Sequence, residues 1–316
     1  MIGETINGYY IDEDGEIGVG GFAEVYVGKN QYGFKKAFKV VRPDKAEHNS
    51  DLCKRFRKEI SMLMALGECR EIVRAENVHQ HENTNTTVLE MEYLDGRDFA
   101  KYISEVAPQG IKDADLLKKI AIKVLTALDF AHNKDILHLD VKPNNVFFTN
   151  AGYVVLLDFG IAKVVGEEAE KIQGVENITM LSDTGESTFR GNPMFASPEQ
   201  QAGVKLTVAS DIYSFGKTLH FLATGTADVN AADVTIEPFA SIVDKCTQPK
   251  IRNRYTSCKE ILEVLNGGYK STGGGYNPPP PTAKRCGNAS CPRKEERYEM
   301  NWSYCSWCGT KSLINC

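Results

Sequence analysis

No stretch of this 316-residue sequence approaches the roughly 18 consecutive apolar residues of a membrane-spanning helix. The first residues, Met1-Ile2-Gly3-Glu4, have neither the basic region nor the apolar run of a secretion signal, so none is expected. Positive charge is not in excess: 37 Lys and Arg face 42 Asp and Glu, for a net charge of −5. That balance gives no general footprint for nucleic acid or an anionic membrane surface, and neither partner is expected. No internal repeat of solenoid type is present. These absences predict a cytoplasmic protein. They also direct the reading of the nine cysteines, which without an export signal point to reduced thiols or metal ligands rather than disulfides.

What is present is the composition of a folded domain, 42% hydrophobic and 25% charged. The length suits one large two-lobed domain or two ordinary ones. Composition breaks at Gly267, where the sequence becomes GGYKSTGGGYNPPPPT. Such a stretch cannot build a core, so a linker is predicted over 267–283, flexible in its glycine-rich half and a short polyproline II rod over Pro278–Pro281. One long domain over 8–266 precedes it, and a small module over 284–316 follows.

Within the long domain, the first ninety or so residues favour strands. The runs Ala37–Val41 and Thr87–Met91 are short, apolar and partly β-branched. Between them Asp51–Leu66 reads as a helix, with Ser50 or Asp51 as its N-cap. After Gly96 the period changes: Leu117, Ile120, Ala121, Val124, Leu128 and Ala131 share one helical stripe, as do Ile212, Phe215, Leu219 and Leu222. A strand-rich lobe followed by a helix-rich lobe is an α+β arrangement.

Several groups of residues carry chemistry. Gly18-Val19-Gly20-Gly21-Phe22-Ala23 places glycines between two strands, where main-chain amides can approach a phosphate, although a plain hairpin turn fits the same pattern. Strand alternation puts Lys39 on the face of Ala37 and Val41. A covered lysine needs a partner, and Glu59 interrupts the apolar helical stripe Phe56, Leu63 and Leu66. The two could satisfy each other, or both could reach water. Further on, His138-Leu139-Asp140-Val141-Lys142-Pro143-Asn144-Asn145 precedes an apolar run, and Asp158-Phe159-Gly160 follows the strand Val154–Leu157. Two acids, a lysine and an asparagine at strand edges suit a magnesium–phosphate site, because Mg²⁺ takes hard oxygen ligands and phosphate needs cations.

Taken in order, GVGGFAEV, AFKV, a helix with KEI, LEMEYLDG, HLDVKPNN, DFG, SPE and DIYSFG resemble the eukaryotic-like (Hanks-type) serine/threonine protein kinase family over about residues 8–266. The SPEQ and DIYSFG runs look like its bacterial members. The resemblance implies a two-lobed kinase fold, with an N-lobe to about 91, a hinge at 92–95 and a C-lobe over 96–266. It implies ATP with Mg²⁺ or Mn²⁺ as cofactors, and protein substrates phosphorylated on Ser or Thr. Gly18 and Gly20 would cover the phosphates, and Lys39, held by Glu59, would bind them. Met91 would be the gatekeeper, with main-chain groups of Glu92 and Leu94 on adenine and Val25, Ala37 and Phe147 around the purine. Asp140 would orient and deprotonate the acceptor hydroxyl, Lys142 would stabilise the transferring group, and Asn145 and Asp158 would hold Mg²⁺. Glu199 would pair with Arg254, and Asp211 would hold the loop around Asp140. A pseudokinase scaffold that binds nucleotide or partners without chemistry is the alternative reading.

Three positions depart from the family pattern. Ala23 replaces a third glycine. Leu139 stands where an arginine usually receives an activation-loop phosphate, which argues against the usual phospho-switch at the family's common position, here Thr188. Asn192 replaces a threonine that usually contacts the catalytic Asp and Lys.

In the last module, Cys286, Cys291, Cys305 and Cys308 form a CxxxxC pair and a CxxC pair. That spacing suits tetrahedral Zn²⁺, and CSWCGTK resembles one knuckle of a zinc ribbon; a thiol redox pair or an unmetallated tail are the alternatives. A segment this short needs metal to fold. Six Lys and Arg against three Glu from Lys284 onward give little electrostatic footprint for nucleic acid, so protein docking is the expected use, with simple structural decoration beside it. Cys53, Cys69, Cys246, Cys258 and Cys316 lack metal spacing and read as buried or incidental thiols.

Overall fold

The computed structural model describes residues 1–19, 23–42, 50–81, 86–160, 162–164, 192–267, 284–286 and 313–315. The chain divides into two compact units, Met1–Tyr269 and Lys270–Cys316.

The first unit opens with a seven-stranded antiparallel sheet, built from β1 (Thr5–Ile6), β2 (Tyr9–Tyr10), β3 (Glu16–Val19), β4 (Ala23–Lys29), β5 (Lys35–Val41), β6 (Ala75–Gln80) and β7 (Thr87–Glu92). The strands run in the order β1-β2-β4-β5-β7-β6, with β3 also on β4. Helix α1 (Ser50–Ala65) lies between β5 and β6 in sequence, one residue earlier at each end than the sequence pattern predicts. Phe56, Glu59, Leu63 and Leu66 are all buried, as the helical stripe requires.

Both faces of the sheet are covered, which explains why Ala37–Val41 of β5 reads as an apolar run broken only by Lys39 rather than a clean alternation. Ala37, Val41, Leu89 and Met91 join the main core with the α1 residues. Phe38, Val40 and Val88 face the other way and pack with Tyr26, Ile6 and Ile11, so the segment carrying β1 and β2 caps the outer face.

The second half is mainly helical. It contains β8 (Gly96–Asp98), α2 (Phe99–Val106), α3 (Ala114–His132), β9 (Ile136–Leu137), β10 (Val146–Thr149), β11 (Val154–Leu156), β12 (Lys163–Val164), α4 (Pro198–Gln201), α5 (Val208–Thr224), α6 (Phe239–Cys246) and α7 (Cys258–Gly267). Asp98 and Asp113 cap α2 and α3 by accepting main-chain N–H groups. The predicted stripes on α3 and α5 are buried throughout. Helix α5 is buried on nearly every side, and its polar residues are satisfied internally: Thr218 Oγ1 donates to the carbonyls of Ser214 and Val141. Gly216 lets α6 approach it, since a Cβ there would fall 2.5 Å from Cys246 Cβ. Gly225, at φ 80°, closes the helix in the left-handed region.

Cys69, Cys246 and Cys258 are buried and Cys53 is partly so, in keeping with structural thiols. Burial pushes the Cys69 thiol up to about 11 and raises Cys246 and Cys258 well above the ordinary thiol value, so none is a ready nucleophile. Among the described residues no helix is long and apolar enough to cross a membrane. In the second unit, β13 (Lys284–Cys286) pairs antiparallel with β14 (Leu313–Asn315), Cys286 opposite Leu313. Cys291, Cys305, Cys308 and Cys316, and residues 268–283, lie outside the described residues.

Candidate active site

Two groups of side chains that are far apart in sequence meet between the sheet and the helical half. The first centres on Lys39 of β5. Its Nζ donates to Glu59 Oε1 at 2.5 Å and to Asp158 Oδ1 at 3.1 Å. The open choice left by the sequence, ion pair or solvent, is thus settled as an ion pair. Burial opposes the Lys39 charge, but Asp158 and Glu59 outweigh it, so the ammonium is held above its ordinary range. Lys39 in turn holds the Asp158 carboxyl down to about 2, with help from the Gly160 amide, which donates to Asp158 Oδ1 at 3.1 Å. Asp158 adopts φ 59°, a left-handed conformation uncommon outside glycine.

The second group is the loop 138–145. Lys142 Nζ donates to Asp140 Oδ2 at 2.6 Å, and Asn145 Nδ2 donates to the same oxygen at 3.0 Å and to the Asp140 carbonyl at 2.9 Å. A short 3₁₀ turn, Pro143–Asn145, brings Asn145 back under Asp140, and its amide donates to the Lys142 carbonyl. The two groups are joined through His138, which is fully buried with its ring 4.5 Å from that of Phe159. His138 Nδ1 accepts from the Asp140 amide at 3.2 Å, so Nε2 carries the proton and donates to the Leu157 carbonyl at 3.0 Å.

Asp211 of α5 holds this loop from beneath. It accepts from the amides of His138 (2.8 Å) and Leu139 (2.7 Å) and from His132 Nε2 (2.8 Å). Burial works against its charge, yet the His132 and main-chain donors keep the carboxyl below its ordinary value. Glu199 and Arg254 form a buried bidentate pair, Nη1 to Oε1 at 2.6 Å and Nη2 to Oε2 at 2.9 Å, with Ser210 Oγ donating to Oε1.

The remaining predicted residues lie on the strands of the sheet and at the start of the helical half. Ala37 pairs with Met91 across β5 and β7 and with Val27 on β4. Val25 sits opposite Lys39 on β4, and Gly18 of β3 opposite Val25. Phe147 lies half-buried on β10, and Leu94 packs partly against the main core. The Glu92 amide donates to the Arg74 carbonyl at 3.1 Å, so any main-chain hydrogen bond from Glu92 to a ligand would come through its carbonyl. Gly20 and Thr188 lie outside the described residues.

The residues that could hold a divalent cation are Asn145 and Asp158, which both carry hard oxygen donors. Among the described residues no cluster of three or more His, Cys, Asp or Glu is arranged to hold a metal. Two oxygen donors suit Mg²⁺, which keeps few protein ligands and completes its octahedron with water and phosphate oxygens. The residues present therefore fit Mg²⁺ bound together with a nucleotide.

The sequence matches the protein kinase domain family over residues 11–268. The chain belongs to the protein kinase domain family. It is 32% identical to a probable serine/threonine-protein kinase PknB of Lactococcus lactis over 270 residues, 78% of this chain and 40% of that protein. It is 30% identical to a probable serine/threonine-protein kinase of Clostridium acetobutylicum over 84% of this chain and 41% of that protein. The chain thus spans about 40% of the length of these curated relatives. Among solved structures, the kinase domain of PknI from Mycobacterium tuberculosis, as a double mutant, superposes with a TM-score of 0.62 at 23% identity, covering 84% of this chain and 98% of that one. The fold is therefore the protein kinase fold, a sheet-rich N-lobe on a helical C-lobe.

Two departures from the kinase pattern take structural form. Leu139 is buried with Leu137 and Leu206, and Val208 packs against them, an apolar contact where the family usually has a cation. Asn192 turns back on its own chain, its Oδ1 accepting from the Met194 amide at 3.0 Å. Sequence reasoning assigned no role to His138, His132 or Gln200. His138 and Gln200 stood in quoted motifs, but a lone buried histidine or glutamine carries no periodic signal.

Proposed function

We propose that this chain is an ATP-dependent protein serine/threonine kinase. The observation that carries the reading is the joint arrangement of Lys39, Glu59 and Asp158 with Asp140, Lys142 and Asn145, in a chain of the kinase family. The bond between the β- and γ-phosphoryl groups of ATP breaks, a new P–O bond forms to a Ser or Thr hydroxyl, and ADP leaves. Mg²⁺ supplies charge neutralisation on the phosphates when bound. Asn145 and Asp158 are the residues that would hold it, the latter ionised throughout the neutral range because Lys39 keeps its pKa near 2. Lys39, fixed by Glu59, places a permanent positive charge where phosphate oxygens would lie. Asp140 accepts the hydroxyl proton, and Lys142, already 2.6 Å from Asp140, offsets charge on the transferring group. Positioning and charge supply most of the rate in such chemistry.

Gly18, Gly20, Val25, Ala37, Met91, Glu92, Leu94 and Phe147 form the nucleotide cleft in this reading, and Thr188 is its candidate phosphosite. The test is transfer of label from γ-labelled ATP to a generic protein substrate, with phosphoamino-acid analysis and Lys39→Met as control. Labelled phosphoserine or phosphothreonine that disappears with Lys39→Met supports the reading; no label from the wild type overturns it.

We further propose that Cys286, Cys291, Cys305 and Cys308 bind one structural Zn²⁺ and that this module docks a protein partner or substrate. The paired-cysteine spacing supports it, and so does the position of Cys286 at the end of a paired strand. Metal analysis of the purified chain under reducing conditions is expected to find about one zinc per chain, lost in Cys305→Ser. A metal-free wild type would remove the module from this account.

A further inference from the structure

The peptide group joining Leu139 to Asp140 is held at both ends. Its N–H, on Asp140, donates to His138 Nδ1 at 3.2 Å. Its carbonyl, on Leu139, accepts from Gln200 Nε2 at 2.8 Å. Rotation of that peptide plane would swing the Asp140 side chain, because the plane fixes the Asp140 main chain from which the side chain projects. Leu139 itself adopts φ 66°, a conformation that persists in a non-glycine residue only where its surroundings over-determine it. Here they do: Asp211 takes its amide, Gln200 its carbonyl, and Leu137 and Leu206 its side chain.

Gln200 is equally constrained. It is buried, and its Oε1 accepts from both the amide and the hydroxyl of Ser197, each at 3.1 Å. With the oxygen so engaged, the amide nitrogen faces the Leu139 carbonyl. The side chain thus ties the start of α4, and with it the chain from Asn192 onward, to the residue immediately before Asp140. The contacts of Gln200 are all uncharged, as is the Leu139–Leu206 contact.

Resting on the kinase reading above, we infer that Gln200 is a positioning residue for Asp140: it seats the segment 197–206 on the loop 138–145 through the Leu139 carbonyl, in place of a charged tether. The contact belongs to the polypeptide itself and requires no phosphate.

The experiment uses the full chain and compares Gln200→Met, which keeps length and burial but removes the amide, with Gln200→Leu, which removes the amide in a shorter apolar side chain; neither can donate to the Leu139 carbonyl. Turnover, KM for ATP, nucleotide affinity and melting temperature are measured for each. Both variants are expected to lose about tenfold or more in kcat, the scale of a small misplacement of a reacting group. KM and affinity for ATP should stay at the wild-type values. Wild-type kcat in either folded variant overturns the inference, and so does a parallel loss of kcat and ATP affinity, which marks a general structural role. If both variants fail to fold, Ser197→Ala decides: it frees one of the contacts that orient Gln200, and an unchanged kcat in that variant overturns the inference. An active wild type with indifferent variants refutes the positioning role alone, whereas an inactive wild type refutes the kinase reading and this inference with it.

Discussion

Lys39 Nζ lies 2.5 Å from Glu59 and 3.1 Å from Asp158, so a single ammonium joins β5, α1 and the loop that follows β11. The pairing has a consequence for acid stability. Asp158 has its pKa lowered to about 2 in the folded protein, below the ordinary value, chiefly by Lys39. A lowered carboxylate pKa stabilises the fold above the unfolded-state pKa, and that stabilisation is lost as pH falls through the folded value. Wild type and Asp158→Asn should therefore differ in melting temperature by a constant amount at neutral pH. The difference should shrink between about pH 4 and pH 2. Melting curves across that range check it, and a difference independent of pH there would contradict the assignment.

Arg254 and Glu199 stand almost wholly inside the C-lobe, at 3% and 5% exposure. Removing one partner strands the other charge away from water. Arg254→Ala should therefore lower the unfolding free energy by about 3–5 kcal/mol. The double variant Arg254→Met with Glu199→Gln, which leaves no buried charge, should lose less than the two single variants summed. Urea denaturation measures both.

Leu139 is buried among leucines, so no arginine stands at that position to receive a phosphate on the segment 165–191. Thr188→Ala is expected to keep near-wild-type turnover in the label-transfer assay, and phosphatase treatment of the wild type should leave turnover equally unaffected. A loss comparable to that of Lys39→Met would show that Thr188 phosphorylation is needed after all.

The parts of the site that the sequence revealed are those with a periodic or ordered signal. Lys39 and Glu59 could be placed because strand alternation and helical spacing each put one polar residue on an apolar face. Asp140, Asn145 and Asp158 came from an ordered set of motifs. The cap over the outer sheet face escaped notice because β1 and β2 are two residues each, too short for any period to show. Ile6 and Ile11 reach Phe38 and Val40 only through tertiary contact. Leu139 could be seen as a missing arginine, but not as the partner of the distant Leu206. Gln200 stood in the SPEQ run without a role, since a glutamine in a short helix is ordinary until its amide is seen on the Leu139 carbonyl.

The most direct test of the account is Asp140→Asn. Asparagine keeps the size of the side chain and a hydrogen-bonding oxygen for Asn145, but it cannot accept the hydroxyl proton as a carboxylate does. Label transfer from γ-labelled ATP to protein should fall by about 100-fold or more, on the scale of general-base loss, while nucleotide affinity stays close to that of the wild type. Transfer at the wild-type rate in that variant would contradict the assignment of Asp140 and the catalytic mechanism built on it.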